Sequence, residues 1–299
     1  MDILHLQIQL FLLVAIGYGL SKKGMLNKTT RKQMTDLVIY VVLPCNIIQS
    51  FQIEMTHELL LATAQVLILG FAAQGLYTIL NLFLYRRFDQ GRQINLKYGT
   101  ICSNAGFMGM PLAQSIFGST GLLYASVALL PIRLFMWSAG LSLYTSTTKK
   151  QVIKSVATHP CIIAVFVGFA LMLSGLQLPA FLDNTIDSLG RCCTALSMIV
   201  IGAILSDVDP RTVFEPAALY YAFLRLLAIP AVLYGVLWLL RVDGLVTGII
   251  VVLAAMPAGS TTAMLAQKYE QAPEFASKMV FTSTLFSLLT LPMWALLLT

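Results

Sequence analysis

Residues Cys102 to Gly118 read C-S-N-A-G-F-M-G-M-P-L-A-Q-S-I-F-G. The run lies within apolar sequence, yet it carries Ser103, Asn104, Gly106, Gly109 and Pro111. Pro111 has no N–H and disfavours a helical residue before it, and the glycines let the backbone leave helical geometry. A second such stretch, Met256 to Gln271, reads M-P-A-G-S-T-T-A-M-L-A-Q-K-Y-E-Q. Placing Leu112-Ala113-Gln114 on Leu265-Ala266-Gln267 also brings Ala105-Gly106 onto Ala258-Gly259. The chain therefore carries the same interrupted polar segment twice. In lipid, an unwound backbone is tolerated only where protein or a water-filled cavity covers it.

The rest of the chain is membrane-like. Of its 299 residues 58% are hydrophobic and 11% charged, against about 25% charged in a soluble domain. Mean hydropathy is +0.82. The apolar runs approach the roughly 20 residues that a membrane helix needs, and they do not alternate as barrel strands do. The expectation is an all-α polytopic membrane protein with short loops and no soluble domain. The N-terminus has no basic region and no small-residue cleavage site, so it reads as a first span that is kept. The net charge of +6 is explained by loop charges that fix orientation. The basic residues are scattered among loops without interleaved aromatics, which argues against nucleic acid as a partner. Cys45, Cys102, Cys161, Cys192 and Cys193 and the three histidines lack metal-ligand spacing, so no metal or cofactor is expected.

Ten spans are expected, near 3–20, 35–51, 59–85, 98–117, 122–144, 160–176, 189–205, 216–240, 245–267 and 279–299. The odd-numbered loops hold fifteen of the nineteen Lys and Arg, while the even ones hold almost none, Arg241 excepted. The loop 52–58 carries two acids and no base. The positive-inside rule then places the odd loops in the cytoplasm and both termini outside it. Gly17 and Gly24 flank the end of span 1 as Gly168 and Gly175 flank the end of span 6, and the interrupted spans are the fourth and the ninth. Residues 1–150 and 151–299 thus read as two five-span repeats. An odd number of spans per repeat inverts the second, which places a site at mid-depth between the halves.

At such a site, half-helix N-termini direct partial positive charge into the cavity, which favours an anion. Ser103, Asn104, Gly106, Pro257, Gly259, Ser260, Thr261 and Thr262 are the candidate substrate contacts, with Gly109 and Pro111 as breaks. Hydroxyls bonding back to a kinked helix are the alternative for one such span; two at matching positions favour a site. Asn46 in span 2 is a further candidate contact; for it, as for Gln49, Gln65, Gln74 and Asn81, an interhelical hydrogen bond is the alternative.

Several stretches resemble the auxin efflux carrier family, which includes plant auxin exporters and bacterial malate and malonate permeases. N-A-G-F-M-G-M-P-L with Phe117-Gly118 is similar to its fourth span, and Ala254 to Tyr269 to its ninth. A-P-E-F-A-S with S-L-L-T-L-P-M-W is similar to its tenth, Arg225 to Pro230 to its eighth, and Leu43 to Asn46 loosely to its second. The resemblance implies crossed spans 4 and 9, an architecture shared with bile-acid symporters and sodium/proton antiporters. It implies a scaffold of spans 1, 2, 6 and 7, a transport domain of spans 3, 4, 5, 8, 9 and 10, a homodimer and a plasma-membrane location. The family's span 4 asparagine falls on Asn104, and its span 9 proline and glycine fall on Pro257 and Gly259. The central loop is short, unlike that of many plant members, which favours an organic-acid carrier over a hormone exporter.

The charges support an anionic substrate independently. Arg133 and Arg225 fall near the middle of spans 5 and 8, and no Asp or Glu lies at that depth. Intramembrane charges usually face the bundle interior and mark function. Each arginine either contacts substrate or neutralises the C-terminal ends of the half-helices; Arg133 is assigned the first role and Arg225 the second. The expected function is elevator-type secondary transport of a small carboxylate. A sodium-coupled symporter of the bile-acid type, a passive anion channel and a receptor are alternatives. An intramembrane enzyme would need a base or metal ligands at mid-depth, and the sequence offers none there.

Cysteines introduced singly at Ser21 and Ser119, on a background freed of native cysteines, should label from opposite faces of the membrane, Ser21 from the cytoplasm. Labelling from one face would remove the inverted repeat.

Overall fold

The computed structural model describes residues 3–52, 56–145, 148–206 and 214–298. Glu54 and Arg211, counted above among the loop charges, lie outside the described residues. The described chain is helical, with one isolated antiparallel bridge between Ser103 and Ala258.

Helix α1 is Ile3–Lys22. Helix α2 runs over 28–50, where a wide π turn Val38–Val42 joins Lys28–Leu37 to Leu43–Ser50. Helix α3 is His57–Leu80 and α4 is Gln90–Ile101. After a break at 102–104, α5 runs Ala105–Leu143, bent at Gly118, whose φ of 68° and ψ of −158° suit a residue without Cβ. A short helix α6, Lys149–Ala157, leads to α7, Pro160–Ser174, and α8, Ala180–Leu205. Helix α9 is Pro216–Leu239, α10 Gly244–Ala254, α11 Thr261–Lys268 and α12 Pro273–Leu298.

Five of these, α3, α5, α8, α9 and α12, are long and apolar enough to cross a membrane. Phe11–Lys22, α7 and α10 are shorter apolar helices. The chain is therefore an all-helical, multi-pass membrane protein.

Several helices start earlier than hydropathy places them. Asn27 caps α2, its side-chain oxygen accepting from Thr30 N at 3.0 Å. Asp89 caps α4 in the same way, accepting from Arg92 N at 3.1 Å. These caps satisfy N–H groups that the first turn leaves free. The basic stretches after spans 1 and 3 thus fold partly as helix. Asp187, ahead of the span expected near 189–205, lies inside α8 and pairs with Arg191 at 2.8 Å.

Three π turns share one cause. Val38–Val42 ends two residues before Pro44, Ala105–Gly109 two before Pro111, and Leu224–Ala228 two before Pro230. A proline inside a helix lacks its N–H and its ring collides with the carbonyl four residues back. Widening the preceding turn relieves that collision without ending the helix.

The heaviest packing falls in two groups, joined by contacts of α5 with α2, α7 and α8 and of α1 with α12. Helix α1 packs on α8, and α2 on α7 and α8. Separately, α3 packs on α5 and α10, α9 on α10 and α12, and α11 on α4 and α12. Helices α1 and α8 approach until backbones touch. A Cβ on Gly17 would stand 2.0 Å from Ile199 O, and one on Gly202 would stand 1.9 Å from Val14 O. Small residues permit such contact between helices in membranes.

Gly202→Val should therefore separate α1 from α8. Overpacking of this kind costs about 1–3 kcal/mol, and a backbone neighbour cannot step aside as a side chain does. The melting temperature in detergent should fall by several degrees, whereas an unchanged melt would mean that the α1–α8 contact does not hold the fold.

Candidate functional site

The two interrupted segments meet. Asn104 N donates to Pro257 O at 2.8 Å, and Gly259 N donates to Cys102 O at 3.0 Å. Ala258 N donates to Ser283 Oγ on α12 at 3.2 Å. Backbone groups that a break would leave orphaned inside the bundle are thus satisfied by the opposite break and by one serine. A local two-fold relates the two main-chain bonds, exchanging Cys102 with Pro257 and Asn104 with Gly259 about the Ser103–Ala258 pair. This register differs by two residues from the superposition of Ala105-Gly106 on Ala258-Gly259. The reason is length: the first break covers 102–104, and the second covers 255–260.

Gly109 and Pro111 lie downstream of the point where the chain leaves the helix. Both belong to helical backbone after the break, Pro111 at the start of an α-helical run. Gly109 serves close approach instead: a Cβ there would stand 2.7 Å from Leu253 Cδ2 of α10.

Asn104 is the N-cap of the resumed helix, at φ −78° and ψ 36°. Its carbonyl accepts from Met108 N at 3.0 Å and Gly109 N at 3.3 Å. Its amide side chain is half-buried and has no hydrogen-bond partner among the described residues. Ser260 occupies the same place ahead of α11, again without a side-chain cap bond. Both helices therefore start with first-turn N–H groups that no side chain covers. Thr261 Oγ1 lies 3.2 Å from Cys102 Sγ, a contact across the two breaks. The hydroxyls of Ser103 and Thr262 are buried without partners among the described residues.

The two arginines take different places. Arg133 reaches the first break: its Nη2 would lie 3.0 Å from a Cβ on Gly106. Its Nη1 contacts Met136 Sδ at 3.6 Å, and its Nε is buried without a partner among the described residues. Burial, and then the Arg133 charge, push the imidazole of His159 down to about 3. His159 is thus neutral, and its Nδ1 accepts from Cys161 N at 3.3 Å as the cap of α7. Arg225 lies on the other side of the breaks, 1% exposed. Its Nε donates to Met256 O and its Nη1 to Thr100 O, each at 3.1 Å. It thus binds one carbonyl in the last turn of α4 and one in the second break, two residues past the end of α10.

Asn46 is not drawn into this group. Its Nδ2 donates to Gln114 Oε1 at 3.2 Å, linking α2 to the part of α5 after Pro111. Asn81 likewise makes an interhelical bond, to Lys97 O at 2.9 Å. Two participants escape the sequence reading, Ser283 and the Cys102 thiol. A hydroxyl facing inward from the apolar run of α12 is the signal that points to Ser283.

The sequence profile of the membrane transport protein family matches residues 2–156 and 144–295. An uncharacterized transporter of Methanothermobacter thermautotrophicus is 30% identical over 298 residues, covering 97% of both chains. An uncharacterized transporter of Methanocaldococcus jannaschii is 23% identical, over 95% of this chain and 94% of that protein. The uncharacterized transporter YfdV of Escherichia coli is 20% identical with the same coverage.

Ser283→Ala should leave Ala258 N–H buried without an acceptor, at a cost of about 1–3 kcal/mol. Ser283→Thr keeps the oxygen and should melt close to wild type. Equal melting of the alanine and threonine variants would mean that the serine does not support the second break.

Proposed function

The chain belongs to the membrane transport protein family, that of the auxin efflux carriers, and from this premise we propose that it is a secondary transporter moving a small organic anion by alternating access. The observation that carries the anion reading is the Arg133 guanidinium over Gly106 in the first turn of one uncapped helix, with the second uncapped helix start bonded to the same break through Gly259 N and Cys102 O. Each helix start carries about half a positive charge. With Arg133 and no carboxylate partner for it among the described residues, the region is net positive. A small carboxylate such as malate, malonate or an auxin-like acid would neutralise it. The Asn104 amide and the hydroxyls of Ser103, Ser260, Thr261 and Thr262 supply the remaining polar contacts, with Pro257 and Gly259 shaping the second break.

In this reading the chain crosses the membrane ten times as an inverted repeat, 1–150 and 151–299, with both termini outside the cytoplasm. The packing supports it: the contact of α1 with α8 across the halves corresponds to that of α7 with α2, and α3 on α5 within the first half to α9 on α12 within the second. Helices α1, α2, α7 and α8 form the scaffold and the others an elevator that carries the site past it. The Asn46–Gln114 bond then spans scaffold and elevator, and it must break and re-form in each cycle.

Thermal-shift titrations of purified protein with mono- and dicarboxylates test the site. Asn104→Ala should lose ligand-induced stabilisation and transport with little loss of folded protein. Arg133→Lys keeps the charge but not the bidentate fork, so affinity should fall about tenfold or more while the ligand-free melt stays near wild type. Arg133→Gln should lose most binding. Unchanged affinity in both arginine variants would rule out direct contact with substrate.

A further inference from the structure

We propose that Arg225 is a resident cation standing where a coupling ion would bind, so that this carrier works without sodium. The inference rests on the transporter reading above. The last carbonyls of α4 and α10 have no partners within their own helices. Each helix end carries about half a negative charge. In transporters with interrupted helices, such ends and the unwound carbonyls beside them commonly coordinate sodium or a proton. Here that position is filled by the protein itself.

The geometry is specific. Arg225 donates to Thr100 O, in the last turn of α4, and to Met256 O, an unwound carbonyl two residues past the end of α10. The guanidinium carbon lies 4.8 Å from the centre of the Tyr77 ring, which covers one face. Among the described residues no carboxylate pairs with it. No group of three His, Cys, Asp or Glu that could hold a metal ion occurs among them either. Two helix ends of about −0.5 each are balanced by one guanidinium. A further cation would meet a neutral or positive site and a carbonyl set already engaged.

The fold also fixes the arginine in place. Arg225 sits in the π turn Leu224–Ala228 that precedes Pro230. A carbonyl of that turn, Leu226 O, accepts from Trp294 Nε1 of α12 at 2.8 Å. The wide turn that accommodates the proline is thus braced from outside, and the charge it carries is held at the paired breaks.

The test needs no known substrate. Wild-type protein is melted in sodium chloride and in choline chloride at equal ionic strength, with sodium titrated between them; no saturable shift is expected. Arg225→Ala should melt several degrees lower than wild type. Guanidinium chloride at low millimolar concentration should restore most of that loss by entering the vacated place, while urea at the same concentration should not. Wild type should respond to neither. A saturable stabilisation of wild type by sodium, or equal effects of guanidinium and urea on Arg225→Ala, would overturn the proposal. If Arg225→Ala does not fold, the wild-type sodium titration decides alone. A sodium effect would leave the anion site standing, whereas guanidinium rescue without any carboxylate binding would sink the anion site and keep the resident cation.

Discussion

A peptide group inside a bilayer must find a hydrogen-bond partner within the protein, because lipid offers none. This chain breaks two helices in its interior, and the breaks satisfy each other. The bonds Asn104 N to Pro257 O and Gly259 N to Cys102 O close one break on the other, and Ser283 completes the set. Neither break is viable alone. The pairing explains why the chain has two such segments, why they lie far apart in sequence, and why the helices around them pack as they do. Gly109 against Leu253 and Gly259 against Cys102 bring the segments within reach.

Pairing the breaks also sorts the charge of the helix ends. Arg225 engages Thr100 O at the end of α4 and Met256 O just past the end of α10. Two helix starts lie on the resumed side, where Arg133 approaches Gly106 without a partner for its Nε. Arg225 donates to two carbonyls and faces the Tyr77 ring, whereas Arg133 Nε has no partner among the described residues. A buried charge must find partners, and in our proposal an anion supplies those that Arg133 lacks. Both arginines fall near mid-span in the sequence, and only the structure brings two carbonyls to Arg225.

Much of the architecture was legible because lipid imposes simple rules. Apolar runs mark helices, and Gly, Pro and Ser inside them mark breaks; that 102–104 meets 255–260 was implied by the family resemblance. The register of that contact was not legible, because superposing Gly106 on Gly259 assumes breaks of equal length, and the second is longer. Pro111 was read as the point of interruption, but a wide turn absorbs its missing N–H and the chain leaves the helix upstream, at Cys102. Helix starts at Asn27 and Asp89 were missed because capping side chains extend helices into charged sequence that hydropathy assigns to loops. The interhelical bond, one of the two readings open for Asn46, is made to Gln114 in a different helix, and no periodicity within one span reveals such a pair.

The most direct test of a single site built from two breaks is amide hydrogen exchange at 103–109 and 259–263, in the presence and absence of a carboxylate that stabilises the protein. An anion bound between the helix starts should slow exchange in both segments together, with the same concentration dependence. Protection of one segment alone, or of neither while other regions respond, would contradict the account.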